Sequence, residues 1–270
     1  MAIKLVAIDI DGTLITDTGE ITQEVFQAIQ EAKQQGVKIV ITTGRPMPGV
    51  EKYLEELNLK DAGDYVITYN GGLVQETKTG KEFIRYTLTH DDYLEIDALA
   101  RKLHVHLHTT TNDTIYTSNR DISPYTVHEA FLVNMPLAYR TQEEITEEFE
   151  IVKMMMIDEE EILTKVIHSI PDSFKEKFTT VRSAPYYFEI LNKKASKGAA
   201  LIALAEKLGI DISETMAIGD ADNDLSMLEA AGTAVAMANA TENVKAIADV
   251  HTTSNNDSGV AKAIWEVVLG

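Results

Sequence analysis

The 270-residue chain contains no cysteine. Disulfides, thiolate metal ligands and cysteine nucleophiles are therefore excluded. Positive charge is scarce, with 24 Lys and Arg against 43 Asp and Glu and a net charge of -19. That balance argues against a broad surface for nucleic acid or for an anionic membrane. An anionic small substrate would need locally placed cations or a metal. No apolar run approaches the roughly 18–20 residues that span a bilayer. The first residues lack a basic stretch followed by a long apolar one, and two aspartates arrive by residue 11, which does not read as a signal peptide. A soluble, cytoplasmic protein is expected. Neither a Gly-rich loop ending in Gly-Lys-Ser/Thr nor a dinucleotide fingerprint is present. What the chain does have is apolar residues, at 44%, enough for a sizeable core.

Ile3 to Ile8 is an apolar run interrupted only by Lys4, and it reads as a buried strand. Asp9-Ile10-Asp11-Gly12-Thr13 follows, where that strand should end. Residues two apart on an extended chain project to one side, so Asp9 and Asp11 are expected to face one point. Close carboxylates repel, and they need a cation, a shared proton or both.

Thr22 opens a helix with Val25, Ile29 and Ala32 at helical spacing, and Gly36 closes it. Val37 to Thr42 reads as a second strand, ending in Thr43-Gly44-Arg45-Pro46. A helix from Val50 to Leu57 and a strand from Tyr65 to Tyr69 come next, the latter ending in Asn70-Gly71. Alternating strands and helices predict a parallel sheet with crossover helices. The pattern then changes to hairpins mixed with helices. Hairpins are expected around Lys78-Thr79-Gly80 and Ser183-Ala184-Pro185, strands over 104–109, 114–117 and 151–157, and helices over 91–103 and 159–170. From Lys197 the first pattern returns. The sequence thus predicts an α/β core over 1–84 and 189–270, interrupted by an inserted α+β domain over 85–188. Hinges are expected near Arg85-Tyr86 and Phe188-Glu189.

Four features fall at strand or helix ends of the predicted core: the Asp9/Asp11 pair, Thr43-Gly44, Lys197, and Gly219-Asp220-Ala221-Asp222-Asn223-Asp224. In a parallel sheet they gather at the carboxyl edge, where such folds bind ligands. Hard carboxylate oxygens suit Mg²⁺ better than zinc. An ammonium, a hydroxyl and helix-start amides suit a phosphate.

With these motifs in this order, the sequence resembles the haloacid dehalogenase superfamily of phosphatases. Within it, the chain is most similar to the Cof subfamily and to bacterial sugar phosphatases of the YidA type. The segments 118–122 and 125–129 of the inserted domain add to the likeness. The resemblance implies a Rossmann-like parallel-sheet core carrying an inserted α+β cap of the C2 type. It implies a Mg²⁺-dependent phosphomonoesterase that hydrolyses a small phosphorylated metabolite, such as a sugar phosphate, through an aspartyl-phosphate. Asp9 is then the nucleophile and Asp11 the general acid and base. Mg²⁺ is held by Asp9, the Asp11 carbonyl and Asp220. Ile10, Thr43, Gly44, Lys197 and Asn223 bind the phosphate, Arg45 touches the substrate, and Asp224 orients Lys197 or a metal-bound water. The cap is expected to open for exchange and close for chemistry. The protein is expected to be a monomer or a homodimer, with neither nucleic acid nor membrane as partner.

Each residue also has a plainer reading. Thr43 ends a β-branched strand, Arg45 could start a helix at the surface, and Lys197 alone reads as solvent-exposed. Asp222 reads as a solvated loop residue and Asp224 as a helix cap. His104, His106 and His108 could share one strand face as in some metal sites, but they lie in the cap, away from the carboxylates. Met154 to Met156 reads as core packing, Trp265 as the anchor of the last helix, and the loop 119–121 as polar surface. Two other activities would use the same residues. A phosphomutase or phosphotransferase would pass the phosphoryl group to a sugar hydroxyl. A receiver-like signalling module would keep its phospho-aspartate, but the carboxylate two residues on and the inserted domain argue against it.

Overall fold

The computed structural model describes residues 2–270. The chain begins with β1 (Leu5–Ile8), α1 (Gln23–Gln34), β2 (Lys38–Thr42), α2 (Glu51–Glu56), β3 (Tyr65–Thr68), β4 (Leu73–Glu76) and β5 (Glu82–Arg85). It continues through α3 (His90–Lys102), β6 (His106–Thr110), β7 (Ile115–Thr117), α4 (Pro124–Leu132), β8 (Leu137–Tyr139), β9 (Lys153–Ile157), α5 (Glu160–Ser169), α6 (Asp172–Lys177), β10 (Phe178–Ala184) and β11 (Tyr187–Asn192). It closes with α7 (Lys197–Leu208), β12 (Thr215–Gly219), α8 (Leu225–Ala230), β13 (Thr233–Ala236), α9 (Glu242–Ile247), β14 (Val250–His251) and α10 (Gly259–Ala263).

Two compact units result. One comprises residues 2–44, 51–84 and 196–270; the other comprises residues 45–50 and 85–195.

The first unit holds an eight-stranded sheet in the order β14-β13-β12-β1-β2-β3-β4-β5. From β14 to β3 all neighbours are parallel, and β4 returns antiparallel to β3. The chain builds outward from β1 in both directions, first through β2 and β3, later through β12 and β13. The switch point therefore lies at β1, and the crevice at its carboxyl end is where such sheets hold ligands. All four residues of β1 are buried, as befits a parallel strand covered on both faces. Thr22 caps α1 by accepting from the Val25 amide, and the helix buries Val25, Ala28, Ile29 and Ala32. The Trp265 indole N–H donates to Glu31 on α1 at 2.8 Å, so this residue ties the C-terminal segment down through a polar contact as well as packing.

The second unit holds a six-stranded sheet in the order β10-β11-β9-β6-β7-β8, antiparallel except for β7 with β8. Tyr93 and Ile96 of α3, Leu163 of α5, and Met154, Met156 and Phe188 of the sheet share one apolar core on one side of it. Met155 faces the other way, into a small cluster with Ile157 and Tyr187. The three consecutive methionines are thus split between the two faces by strand alternation.

Two expectations need correction. The return crossing lies at 195/196 and not at 188/189. Phe188 and Glu189 sit inside β11, which pairs with β9 and β10, so they are ladder residues and not a hinge. The helix α4 was also not expected. Its buried residues are Thr126, Glu129 and Ala130, whereas Val127, Phe131 and Leu132 are exposed. The polarity of its faces is inverted, and hydrophobic periodicity cannot reveal such a helix. Among the described residues, no helix is long and apolar enough to cross a membrane.

Candidate active site

Asp9 follows the last residue of β1 and keeps an extended backbone, with its amide donating to the Ile218 carbonyl of β12 at 3.1 Å. It is buried. The chain then turns. Gly12 has φ of 78°, a conformation that favours glycine, and the amides of Leu14 and Ile15 return to the carbonyls of Asp9 and Ile10. A β-carbon at Gly12 would also lie 2.4 Å from a carboxylate oxygen of Asp220. The strand therefore ends before Asp11, which is exposed while Asp9 is buried. Simple alternation does not extend through the pair. Asp11 is nevertheless near enough for its charge to act on both Asp9 and Asp220.

Lys197, the first residue of α7, is fully buried and not solvent-exposed as it reads in isolation. Its ammonium donates to Asp9 at 2.5 Å and to Asp224 at 2.6 Å. Asp224 uses its other oxygen to accept from the amides of Asp220 and Ala221, at 3.0 and 3.1 Å. Asp224 thus bridges the backbone of the loop after β12 and the Lys197 ammonium. Asp220 accepts from the Thr13 hydroxyl at 2.8 Å.

The electrostatics follow from burial. Desolvation, and then the charge of Asp224, pushes Asp9 well above the ordinary carboxylate range, with Lys197 opposing. Desolvation and Asp224 push Asp220 up to about 7, against the Thr13 hydrogen bond. Burial lowers the Lys197 pKa, but the two carboxylates outweigh it and hold the ammonium charged above its usual range. Three carboxylates thus gather around one ammonium. Oxygens of Asp9, Asp220 and Asp224 lie within 4.8 Å of one another. These hard donors fit Mg²⁺. Asp9 and Asp224 both pair with Lys197, and Asp224 also accepts from two backbone amides.

Thr43, at the end of β2, is buried, its amide donating to Ile67 and its carbonyl accepting from the Asn70 amide, both at 2.9 Å. Asn70 is buried with φ of 52°, and its side chain lies against Gly44 and accepts from the Asn223 amide at 3.3 Å. Ile10 is buried within the turn that follows Asp9. The structure thus gathers Asp9, Lys197, Asp220 and Asp224 in one cluster, and Gly44 with Asn223 in another bridged by Asn70. Arg45 is different. It belongs to the second unit and donates to the Gly49 carbonyl at 3.2 Å. Asp222 is exposed and accepts from Thr241 and Asn243, so the plain reading of it holds.

Three residues here had no role in the sequence reading. Thr13 holds Asp220, Asn70 braces Gly44, and the Asn239 amide donates to the Gly12 carbonyl at 2.8 Å. Thr13 and Asn70 lay inside recognised motifs, and that was the available signal. The three cap histidines do not converge. His106 pairs with Asp158 at 2.9 Å, while His108 is buried between Thr126 and Met155.

Comparison with known proteins now decides the family. Residues 6–264 match the haloacid dehalogenase-like hydrolase family. The chain belongs to the haloacid dehalogenase-like hydrolases. A Streptococcus pyogenes protein named "Putative phosphatase" is 56% identical to this hydrolase, covering 100% of both chains. A Bacillus subtilis protein named "Putative phosphatase YxeH" is 50% identical over 98% of both. Among solved structures, a haloacid dehalogenase-like hydrolase from Bacteroides thetaiotaomicron superposes with a TM-score of 0.86 at 31% identity, covering 98% of this hydrolase and 99% of that chain. A sugar phosphatase of subclass IIB superposes with a TM-score of 0.81 at 27% identity, over 97% and 98% of the two chains.

Proposed function

We propose that this hydrolase is a Mg²⁺-dependent phosphomonoesterase acting on sugar phosphates or related small metabolites, with Asp9 as nucleophile. The observation that carries this reading is the buried Asp9–Lys197–Asp224 chain beside Asp220, at the switch point of a parallel sheet. The phosphatase names of the relatives and the sugar-phosphatase likeness support the substrate class.

The chemistry runs as follows. A carboxylate oxygen of Asp9 attacks phosphorus, and the bond from phosphorus to the leaving oxygen breaks. Asp11 gives its proton to the departing alkoxide. A water then attacks the phosphorus of the aspartyl-phosphate, Asp11 takes its proton, and phosphate leaves with Asp9 restored. Lys197 offsets charge on the transferring group and holds Asp9 in place. Thr43, the Gly44 and Ile10 amides and the Asn223 side chain receive the phosphoryl oxygens. Asp9, Asp220 and the Asp11 carbonyl would hold Mg²⁺, which supplies charge neutralisation between the carboxylate and the incoming phosphate.

The deciding experiment is the substitution Asp9→Asn, assayed on a panel of phosphorylated metabolites with and without Mg²⁺. Turnover should fall by about 10⁴-fold or more while the fold is kept. Near-normal hydrolysis would remove Asp9 from the nucleophile's place. Release of free phosphate, rather than a relocated phosphoryl group, separates hydrolysis from transfer.

A further inference from the structure

The end of β3 and the turn after it gather locally unfavourable features. Tyr69 and Asn70 have φ of 51° and 52°, and Gly71 has φ of 92°. Asparagine tolerates the left-handed region better than most residues, but a bulky tyrosine there is an outlier. Both side chains are buried. The hydroxyl of Thr68, the last residue of β3, is buried and has no hydrogen-bond partner among the described residues. Strain of this kind persists only where the surroundings over-determine it, and it collects at functional sites.

Three segments of the first unit surround this turn. The Asn70 amide donates to the Thr43 carbonyl at 2.9 Å, and a β-carbon at Gly44 would lie 2.9 Å from the Asn70 side-chain nitrogen. Asn70 Oδ1 accepts from the Asn223 side-chain amide at 3.3 Å. A β-carbon at Gly71 would lie 2.1 Å from the Ser196 carbonyl oxygen and 3.1 Å from the Lys197 amide nitrogen. Ser196 caps α7, its hydroxyl accepting from the Ala199 amide and its carbonyl from the Ala200 amide, both at 3.0 Å. Gly71 therefore packs on the first turn of the helix that presents Lys197. Within two residues, the turn touches the segment after β2, the loop after β12 and the start of α7. These carry Gly44, Asn223 and Lys197.

We propose that Tyr69-Asn70-Gly71 is a template that holds these three segments in register for a phosphoryl group, with Asn70 as the positioning residue for Asn223 and Gly44. This rests on the phosphatase reading and deepens it. An amide side chain has a donating end and an accepting end. Turned the wrong way round, Asn223 would aim an acceptor at a phosphoryl oxygen. Asn70 Oδ1 engages the nitrogen of Asn223 and leaves the second N–H of that nitrogen for the ligand. The other end of the same short Asn70 side chain lies against Gly44. Donors fixed before the substrate arrives need no reorganisation during transfer. The left-handed backbone is what sets one side chain between two loops.

The test is steady-state kinetics on a phosphomonoester with Mg²⁺, with inorganic phosphate as inhibitor. Asn70→Gly keeps the left-handed backbone and removes only the side chain. Its kcat should fall by roughly tenfold or more, and inhibition by phosphate should weaken by roughly fivefold or more. In an Asn223→Ala background the same substitution should lower kcat by no more than about threefold, because Asn70 acts through Asn223. Gly71→Ala should also lower kcat by roughly tenfold. Gly80→Ala is its control, with a φ of 69° and open space around it, and should keep kcat. A turn that served stability alone would lower Tm and leave the kcat of the folded protein intact. Full kcat in folded Asn70→Gly or Gly71→Ala, or an equal fall in both backgrounds, overturns the proposal. Should Gly71→Ala not fold, the two Asn70→Gly comparisons decide. Should the wild type hydrolyse no phosphomonoester, the phosphatase reading falls by itself, and calorimetry with inorganic phosphate decides the template. The wild type should then bind phosphate roughly fivefold or more tightly than Asn70→Gly. Equal affinities, or no binding by the wild type, overturn it.

Discussion

Lys197 is buried among carboxylates, so its loss bears on stability and on activity together. Its ammonium is set against Asp9 and Asp224, and all three are buried. Removing one partner of a buried ion cluster leaves uncompensated charge. Lys197→Met should therefore cost roughly 3–5 kcal/mol of stability, measured by urea unfolding, as well as activity. Adding Asp224→Asn should restore part of that stability, because one stranded carboxylate is neutralised. Asp220 gives a pH prediction. Its pKa rises from 3.8 to about 7 on folding, so between roughly pH 4 and 7 the unfolded chain is ionised there while the folded one keeps its proton. Stability from this group is thus greatest on the acid side and is lost as pH rises through that window. In metal-free protein, the Tm of the wild type relative to Asp220→Asn should fall between pH 4 and 8, and a difference that rises would reverse the assignment. Residue identities at this site were legible because carboxylates, Thr43 and Lys197 fall at strand and helix ends. The hydrogen bond from Thr13 and the brace from Asn70 were not, since both depend on tertiary approach.

At the scale of elements, α7 and the loop after β12 are what bring Lys197 and Asp224 together. Their helices pack closely. A β-carbon at Gly198 would lie 2.1 Å from the Ser226 carbonyl oxygen of α8, so only glycine fits without displacing a helix. Gly198→Ala should cost about 1–3 kcal/mol by overpacking. It should also lower kcat, because the residue beside it is Lys197. Ile202→Ala, on the exposed side of α7, is the control, expected within about 0.5 kcal/mol of wild type. A loss of stability with full kcat would show that α7 can shift without moving Lys197. Alternating apolar strands and helices made the parallel sheet readable, since buried strands are written as continuous apolar runs. The inserted unit was read less well for two physical reasons. β11 was divided between the domains, although its ladder partners β9 and β10 hold it in the second sheet. In α4 the buried side is Thr126, Glu129 and Ala130, a pattern that hydrophobic periodicity cannot find.

On the scale of the whole molecule, the two units have separate sheets and separate apolar cores, one built around β1 and one around Met154, Met156 and Phe188. A ligand that binds only the folded state stabilises the part whose unfolding would destroy its site. Asp9 and Asp220 both belong to the first unit, so Mg²⁺ should protect that unit alone. Hydrogen exchange in millimolar Mg²⁺, compared with chelator, should slow amides of β1, β12 and the segment 219–224 most. Amides of β6 and β9 should change little. Binding requires ionised carboxylates, and the raised pKa values of Asp9 and Asp220 make protons compete with the metal. Protection at β1 and β12 should therefore be larger at pH 8 than at pH 5.5. Uniform slowing across both sheets would instead mean that the units unfold as one cooperative body, and a pH-independent effect would mean that other groups bind the ion.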